Sequence, residues 1–229
     1  IEVIPEFLLD APDQVKDLLV RMWPINFAYY PKGIHDALAD TFHIASLGTV
    51  LAVMIAFPIG MCASHRLVSF RAINSIAQFI LVASRSINSI IWALLFVAIF
   101  GPGALAGTFA IAFRSIGFIG KLLGEAIESA DQNSIEALKA CGAPWWSIFI
   151  KGYWPQIEPS FWSISLFRWD INIRESSVLG LVGAGGIGMA LDSAMNLFQW
   201  TRVSLVLLCI FIMVIVVEII VTQIRKRII

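Results

Sequence analysis

Five stretches of the chain are apolar for about the 20 residues that a helix needs to cross a bilayer. They are 41–63 (TFHIASLGTVLAVMIAFPIGMCA), 74–100, about 105–123, about 159–182 and 203–222, the first and last being the clearest. Pro58 in the first is tolerable where neighbouring helices satisfy the freed carbonyl. Between the third and fourth lies 125–158, EAIESADQNSIEALKACGAPWWSIFIKGYWPQIE, too long for a tight helix–helix turn. Ser134–Ala140 reads as a helix that Gly142 stops in the left-handed conformation and Pro144 prevents from continuing. Trp145–Ile150 reads as a second short amphipathic piece, and Pro155 and Pro159 lead into the next span. Residues 1–40 contain FLLDAPDQVKDLLVRMW, with amphipathic helical spacing. The pattern predicts an all-α membrane protein with a polar N-terminal segment, 1–40, and a transmembrane domain, 41–229.

Composition strengthens this reading. Hydrophobic residues make up 59% and charged residues 14%, against roughly a quarter charged in soluble domains; mean hydropathy is +0.83. Sixteen basic and 16 acidic residues balance, which argues against nucleic-acid binding. Cys62, Cys141 and Cys209 show no metal or redox spacing, and His35, His43 and His65 are dispersed, so neither a metal site nor a disulfide framework is expected. No catalytic constellation stands out.

Charge also orients the spans. Arg66 and Arg71 follow the first, Lys121, Lys139 and Lys151 surround the long loop, and Arg225, Lys226 and Arg227 close the chain. Five spans put all three regions on one side, the cytoplasmic one. The acid-rich 1–40 segment is then external. With neither an initial Met nor a signal-peptide pattern, it points to an upstream helix beyond this stretch.

Charges inside spans are expensive and default to functional candidates. Arg85 lies in the second, Arg114 in the third, and Arg168, Asp170, Arg174 and Glu175 in the fourth. At the rise of a helix, Arg85, Arg114 and Arg168 each fall roughly 14–16 Å into their spans, near the midplane of a 30 Å core. Asn88 and Ser89 neighbour Arg85, and Ser165, Arg168, Asn172 and Glu175 form one polar face. Structural pairing of Asp170 with Arg174 and of Glu175 with Arg168 is one reading. The surplus of arginine over acid supports another, a path for a small oxyanion held transiently.

The stretch VLGLVGAGGIGMAL satisfies G-x-G-x-x-G at Gly183, Gly185 and Gly188. A dinucleotide fold wants an acid about 20 residues on and a further α/β domain; here an apolar span follows. Position places Gly183, Gly185, Gly186 and Gly188 at the outer end of the fourth span, as a helix break beside a gate or hinge.

Two groups of residues carry a family resemblance. Glu136-Ala137-x4-Gly142 with downstream Pro155 resembles the EAA loop of binding-protein-dependent ABC importer permeases. LFRWDINIRESSVLGLVGAGGIG, 166–188, is similar to phosphonate-importer permeases, as are SRSINSIIWALLFVAIFG and IGFIGKLLGEAIE. The resemblance covers about residue 40 to the C-terminus. Arg168, Asp170, Asn172 and Arg174 match; Gly152, Trp154, Ser89, Arg114 and Glu175 depart from the usual pattern.

What the resemblance implies is a type I ABC importer permease with five transmembrane helices here and one more upstream. It implies a homodimer in a bacterial inner membrane, two ATPase subunits that bind ATP and Mg, and an external solute-binding protein. Glu136, Ala137, Gly142 and Pro155 would serve ATPase coupling. Arg85, Asn88, Ser89, Arg114, Arg168, Asp170, Asn172 and Arg174 would line the path of a phosphonate, phosphite, hypophosphite or phosphate. The chain itself would hold no cofactor and catalyse nothing. An ion-coupled secondary anion transporter, using Asp170 or Glu175 as the titrating acid, is the alternative.

Overall fold

The computed structural model describes residues 5–228, so the ends of the N-terminal segment and of the transmembrane domain, 1–4 and 229, lie outside it. In chain order the helices are α1 (Pro5–Arg21), α2 (Ile34–Ala63), α3 (Arg71–Ser86), α4 (Ser89–Phe100), α5 (Ala104–Glu128), α6 (Gln132–Ala140), α7 (Trp145–Ile148), α8 (Trp154–Leu179), α9 (Ile187–Asn196) and α10 (Trp200–Ile228). Helices α2, α5 and α10 are each long and apolar enough to cross a membrane; counting the bent pairs α3–α4 and α8–α9 as one span each makes five.

The central packing is α2 against α5, with α8 laid across both and α10 on the far side of α8. Small residues on α2 and α5 permit the close approach. A Cβ added at Gly60 would stand 2.8 Å from the Gly120 carbonyl, so bulk there would push the two backbones apart. Dispersion between close backbones, rather than hydrophobic exclusion, holds helices together in lipid.

The stretch 74–100, read as one span, is built of two helices in the structure. Helices α3 and α4 meet at 91° across Ile87 and Asn88. The Asn88 side chain accepts from the Ile90 N–H and starts α4 afresh as its N-cap. The adjoining spans also run further than hydropathy marked. Helix α5 continues to Glu128, and α8 begins at Trp154, so Pro155 and Pro159 sit inside its first turns instead of ahead of it. Pro155, at the second helical position, is tolerated because the first N–H groups of a helix have no internal partner, whereas Pro159 lies inside the helix and removes one internal hydrogen bond.

The expected amphipathic helix in the N-terminal segment is present as α1, and Val15, Leu19 and Val20 are exposed on it. The Ser204 hydroxyl on α10 donates to the Met22 carbonyl at 2.9 Å and ties the segment down.

Candidate functional site

Three helices bring polar side chains to one level in the apolar bundle. On α8, Arg168, Asn172 and Glu175 share a face because four and seven residues return close to whole helical turns. On α5, Arg114 and Ser115 meet that face, and Thr49 reaches it from α2. The Ser115 hydroxyl donates to Asn172 Oδ1 at 3.1 Å and accepts from Arg168 Nε at 2.9 Å. Asn172 Nδ2 donates to Thr49 Oγ1 at 2.7 Å, and the Thr49 hydroxyl in turn donates to the Ala45 carbonyl. Asn172 is fully buried and thereby cross-links α2, α5 and α8.

Glu175 completes the cluster. Its Oε1 accepts from Arg114 Nη1 and its Oε2 from Arg168 Nη2, the latter at 3.3 Å. The Arg168 side chain is 4% exposed, Glu175 17% and Arg114 30%, so the cluster is closed at Arg168 and open at Arg114. The Arg168 guanidinium also lies 5.5 Å from the Phe118 ring centroid. Two guanidinium groups and one carboxylate leave a single positive charge in a low-dielectric setting, where Coulomb attraction for an anion is strongest.

Asp170 and Arg174 stand apart from this cluster. They pair with each other along α8, with Arg174 48% exposed and Asp170 9%. Asp170 Oδ1 has no hydrogen-bond partner among the described residues. Arg85 reaches the same level by another route. The α3 backbone presses on α5 where a Cβ at Gly117 would lie 2.9 Å from the Arg85 amide N. Gly117 is three residues beyond Arg114, almost one turn. Arg85 is exposed and makes no ion pair among the described residues. Asn88 and Ser89 bond to each other and to the first turn of α4, not to the cluster.

The glycine run forms the turn between α8 and α9. Gly183, Gly185 and Gly186 have φ of +84°, +86° and +74°, conformations that other residues rarely adopt. A Cβ at Gly188 would lie 2.3 Å from the Ser177 carbonyl, so the first turn of α9 packs tightly against the end of α8. The Ile187 N–H donates to Thr41 Oγ1 at 2.7 Å, and the Gly103 N–H to the Gly183 carbonyl at 2.9 Å. Gly183 and Ala184 turn their N–H groups onto the Gly180 and Leu179 carbonyls. These donors face the protein, and the turn locks the adjoining ends of α2, α5 and α8 together.

At the opposite end, Asp131 caps α6 through the Asn133 N–H. The helix ends as expected: Gly142 has φ +71°, and the Ala143 N–H returns to the Leu138 carbonyl. Residues Phe149–Tyr153 continue α7 as a π-helical turn before α8. Gly152, where a side chain is more usual in such loops, leaves room for α6: a Cβ there would lie 3.1 Å from Leu138 Cδ1. Ile135 buries itself with Leu123 and Ile127 of α5, Tyr153 of the π turn, and Ile157 and Phe161 of α8. Glu136 and Ala137 face outward, as do Trp145 and Trp146 at 45% and 67% exposure.

Residues 48–229 match the family described as "Binding-protein-dependent transport system inner membrane component". The chain belongs to that family. It is 33% identical over 220 residues to the phosphite transport system permease protein PtxC of Stutzerimonas stutzeri, covering 96% of this chain and 80% of that one. It is 34% identical over 215 residues to the phosphate-import permease protein PhnE of Mycolicibacterium smegmatis, covering 94% of this chain and 40% of that one. The MetNI methionine ABC transporter, in an inward-facing conformation, shares the fold with a TM-score of 0.72 at 20% identity, over 86% of this chain and 96% of that one.

For this family member, the expected pairs Arg168–Glu175 and Asp170–Arg174 are both present. Sequence reasoning missed that Arg114 shares Glu175, and that Ser115 and Thr49 complete the cluster. The signal for both hydroxyls was slight: each is a small polar residue in an otherwise apolar helix face.

Proposed function

We propose that this chain is the membrane subunit of an ATP-driven importer for a small phosphorus oxyanion, working as a pair with two ATPase subunits and an external binding protein. The observation that carries the reading is the arginine-rich level inside the bundle. Arg114 and Arg168 share the single carboxylate of Glu175, which leaves one uncompensated positive charge, and Arg85, without an ion pair among the described residues, adds a second, while Asp170 and Arg174 neutralise each other. A guanidinium offers paired N–H donors that match two oxygens of a phosphorus oxyanion. The names of PtxC and PhnE, one for phosphite and one for phosphate, fit the same chemistry.

Hydrolysis of ATP, held with Mg in the partner subunits, would supply the free energy of the cycle. The outward-facing Glu136 and Ala137 of α6 dock on that partner. Motion of α6 reaches α5 and α8 because Ile135 shares one apolar core with both. Helix α8 then carries Arg168 relative to Arg114, opening and closing the charged level to the anion. Asp170 and Glu175 are already ion-paired, so no specific observation favours the ion-coupled alternative.

The test is uptake of labelled phosphite into proteoliposomes holding the assembled transporter and its binding protein. Uptake is expected only with ATP on the ATPase side. Uptake driven by a proton gradient without ATP contradicts the proposal.

A further inference from the structure

Glu175 holds both arginines of the cluster in the way that a substrate would. Its two oxygens take one guanidinium each, Arg114 on one side and Arg168 on the other. Two oxygens of a tetrahedral phosphorus oxyanion have comparable spacing and the same acceptor chemistry. The carboxylate therefore occupies the seat that an entering anion needs. It is also the more accessible of the two groups buried there: 17% of its side chain is exposed against 4% for Arg168, and Arg114 beside it is 30% exposed.

We infer that Glu175 is an internal counter-anion that the transported oxyanion displaces from Arg114 and Arg168, and that its charge selects singly over doubly charged anions. The inference rests on reading this level as the oxyanion path. Three consequences follow from the charges. Without an anion, Glu175 keeps the buried Arg168 guanidinium and the partly buried Arg114 from standing unpaired, which would destabilise the bundle. With a monoanion, the cluster of two arginines and one carboxylate becomes neutral. With a dianion it becomes net negative, and the displaced carboxylate, tethered to α8, repels the guest at short range in a poorly screened setting. The resting pairing also keeps binding weak, as transient passage requires.

Neighbouring groups do not replace Glu175 in this role. The Asp170 carboxylate is committed to Arg174 on another face of α8, and Asn172 contributes only neutral hydrogen bonds. Ser115 steadies Arg168 through Nε and leaves its Nη groups for the carboxylate or the anion.

The experiment measures how hypophosphite, a monoanion, and inorganic phosphate, mainly a dianion at about pH 8, stabilise the assembled permease–ATPase complex against thermal unfolding. No external binding protein is present, so its selectivity does not enter. Responses are taken relative to Arg168→Ala, which removes phosphate bound at the ATPase sites from the comparison. The wild type is expected to respond to hypophosphite at about tenfold lower concentration than to phosphate. Glu175→Gln is expected to narrow or reverse that ratio by about tenfold, while Glu175→Asp, which keeps the charge, retains the wild-type order.

A wild type that prefers phosphate overturns the inference even if Glu175→Gln fails to fold. So does a Glu175→Gln complex with the wild-type ratio. If wild type and Arg168→Ala respond identically to both anions, the oxyanion path itself is wrong. If Arg168→Ala abolishes both responses and Glu175→Gln changes neither, only the role of Glu175 falls.

Discussion

Helix α8 carries charges on two faces, and the two faces solve the burial of charge differently. Asp170 and Arg174 lie about 200° and 240° around the helix from Arg168, whereas Glu175 returns to within about 20° of it. The first pair closes on itself within one helix, with Arg174 half exposed. The second group is open-ended: one carboxylate serves arginines from two helices, and Ser115, Asn172 and Thr49 tie it to three. A neutral intrahelical pair has no field to offer an anion. A cluster with one carboxylate for two guanidinium groups has an uncompensated charge, and its geometry changes when the helices move.

The largest expected effect comes from breaking the open cluster. Arg168→Ala should lower oxyanion uptake by about tenfold or more and destabilise the bundle by about 3 kcal/mol, since Glu175 loses its most buried partner. Initial-rate uptake and thermal unfolding in detergent read the two effects separately. Next is the turn that holds the ends of the same helices together. Gly188→Ala places a methyl 2.3 Å from the Ser177 carbonyl, and should cost about 1–3 kcal/mol as an overpacking strain; a wild-type unfolding midpoint would show that α9 packs elsewhere.

Glu136→Ala sharpens the comparison from the far end. The side chain is exposed, so stability should stay within about 0.5 kcal/mol of wild type. ATPase co-purification should weaken, and equal yields would remove Glu136 from the docking face. The smallest effect belongs to the self-contained pair. Asp170→Asn with Arg174→Gln removes both charges together and should leave uptake within about threefold of wild type, because exchanging both partners of an ion pair for neutral groups is often near neutral. A loss as large as that of Arg168→Ala would show that both faces of α8 carry the anion.

Much of the bundle was legible in the order of apolar and polar residues. The spans follow from long, mostly apolar stretches, and the Gly142 stop from a glycine placed between a helix and a proline. The Asp170–Arg174 and Arg168–Glu175 pairs follow from helical periodicity alone, since both partners lie on one helix. The break at Asn88 had a signal that span length overrode: an Asn directly before an apolar helical run is an N-cap pattern.

Arg114 with Glu175 was not legible, because the partners are 61 residues apart and only the contact of α5 with α8 unites them. The same holds for Gly152. Its spacing marks an unusual loop residue, but the reason for it appears only when α6 is seen packed on the π turn. The dinucleotide-like glycine pattern is the converse case. Local spacing alone matched a phosphate-binding turn, the apolar span that follows already argued against it, and the tertiary contacts turn the Gly183, Ala184 and Ile187 N–H groups onto neighbouring carbonyls and Thr41.

The most direct test of the arginine level is initial-rate phosphite uptake by proteoliposomes carrying Arg168→Ala, compared with wild type at equal amounts of assembled complex. The account predicts a fall of about tenfold or more with the ATPase subunits still bound. Equal rates in the two preparations would contradict it.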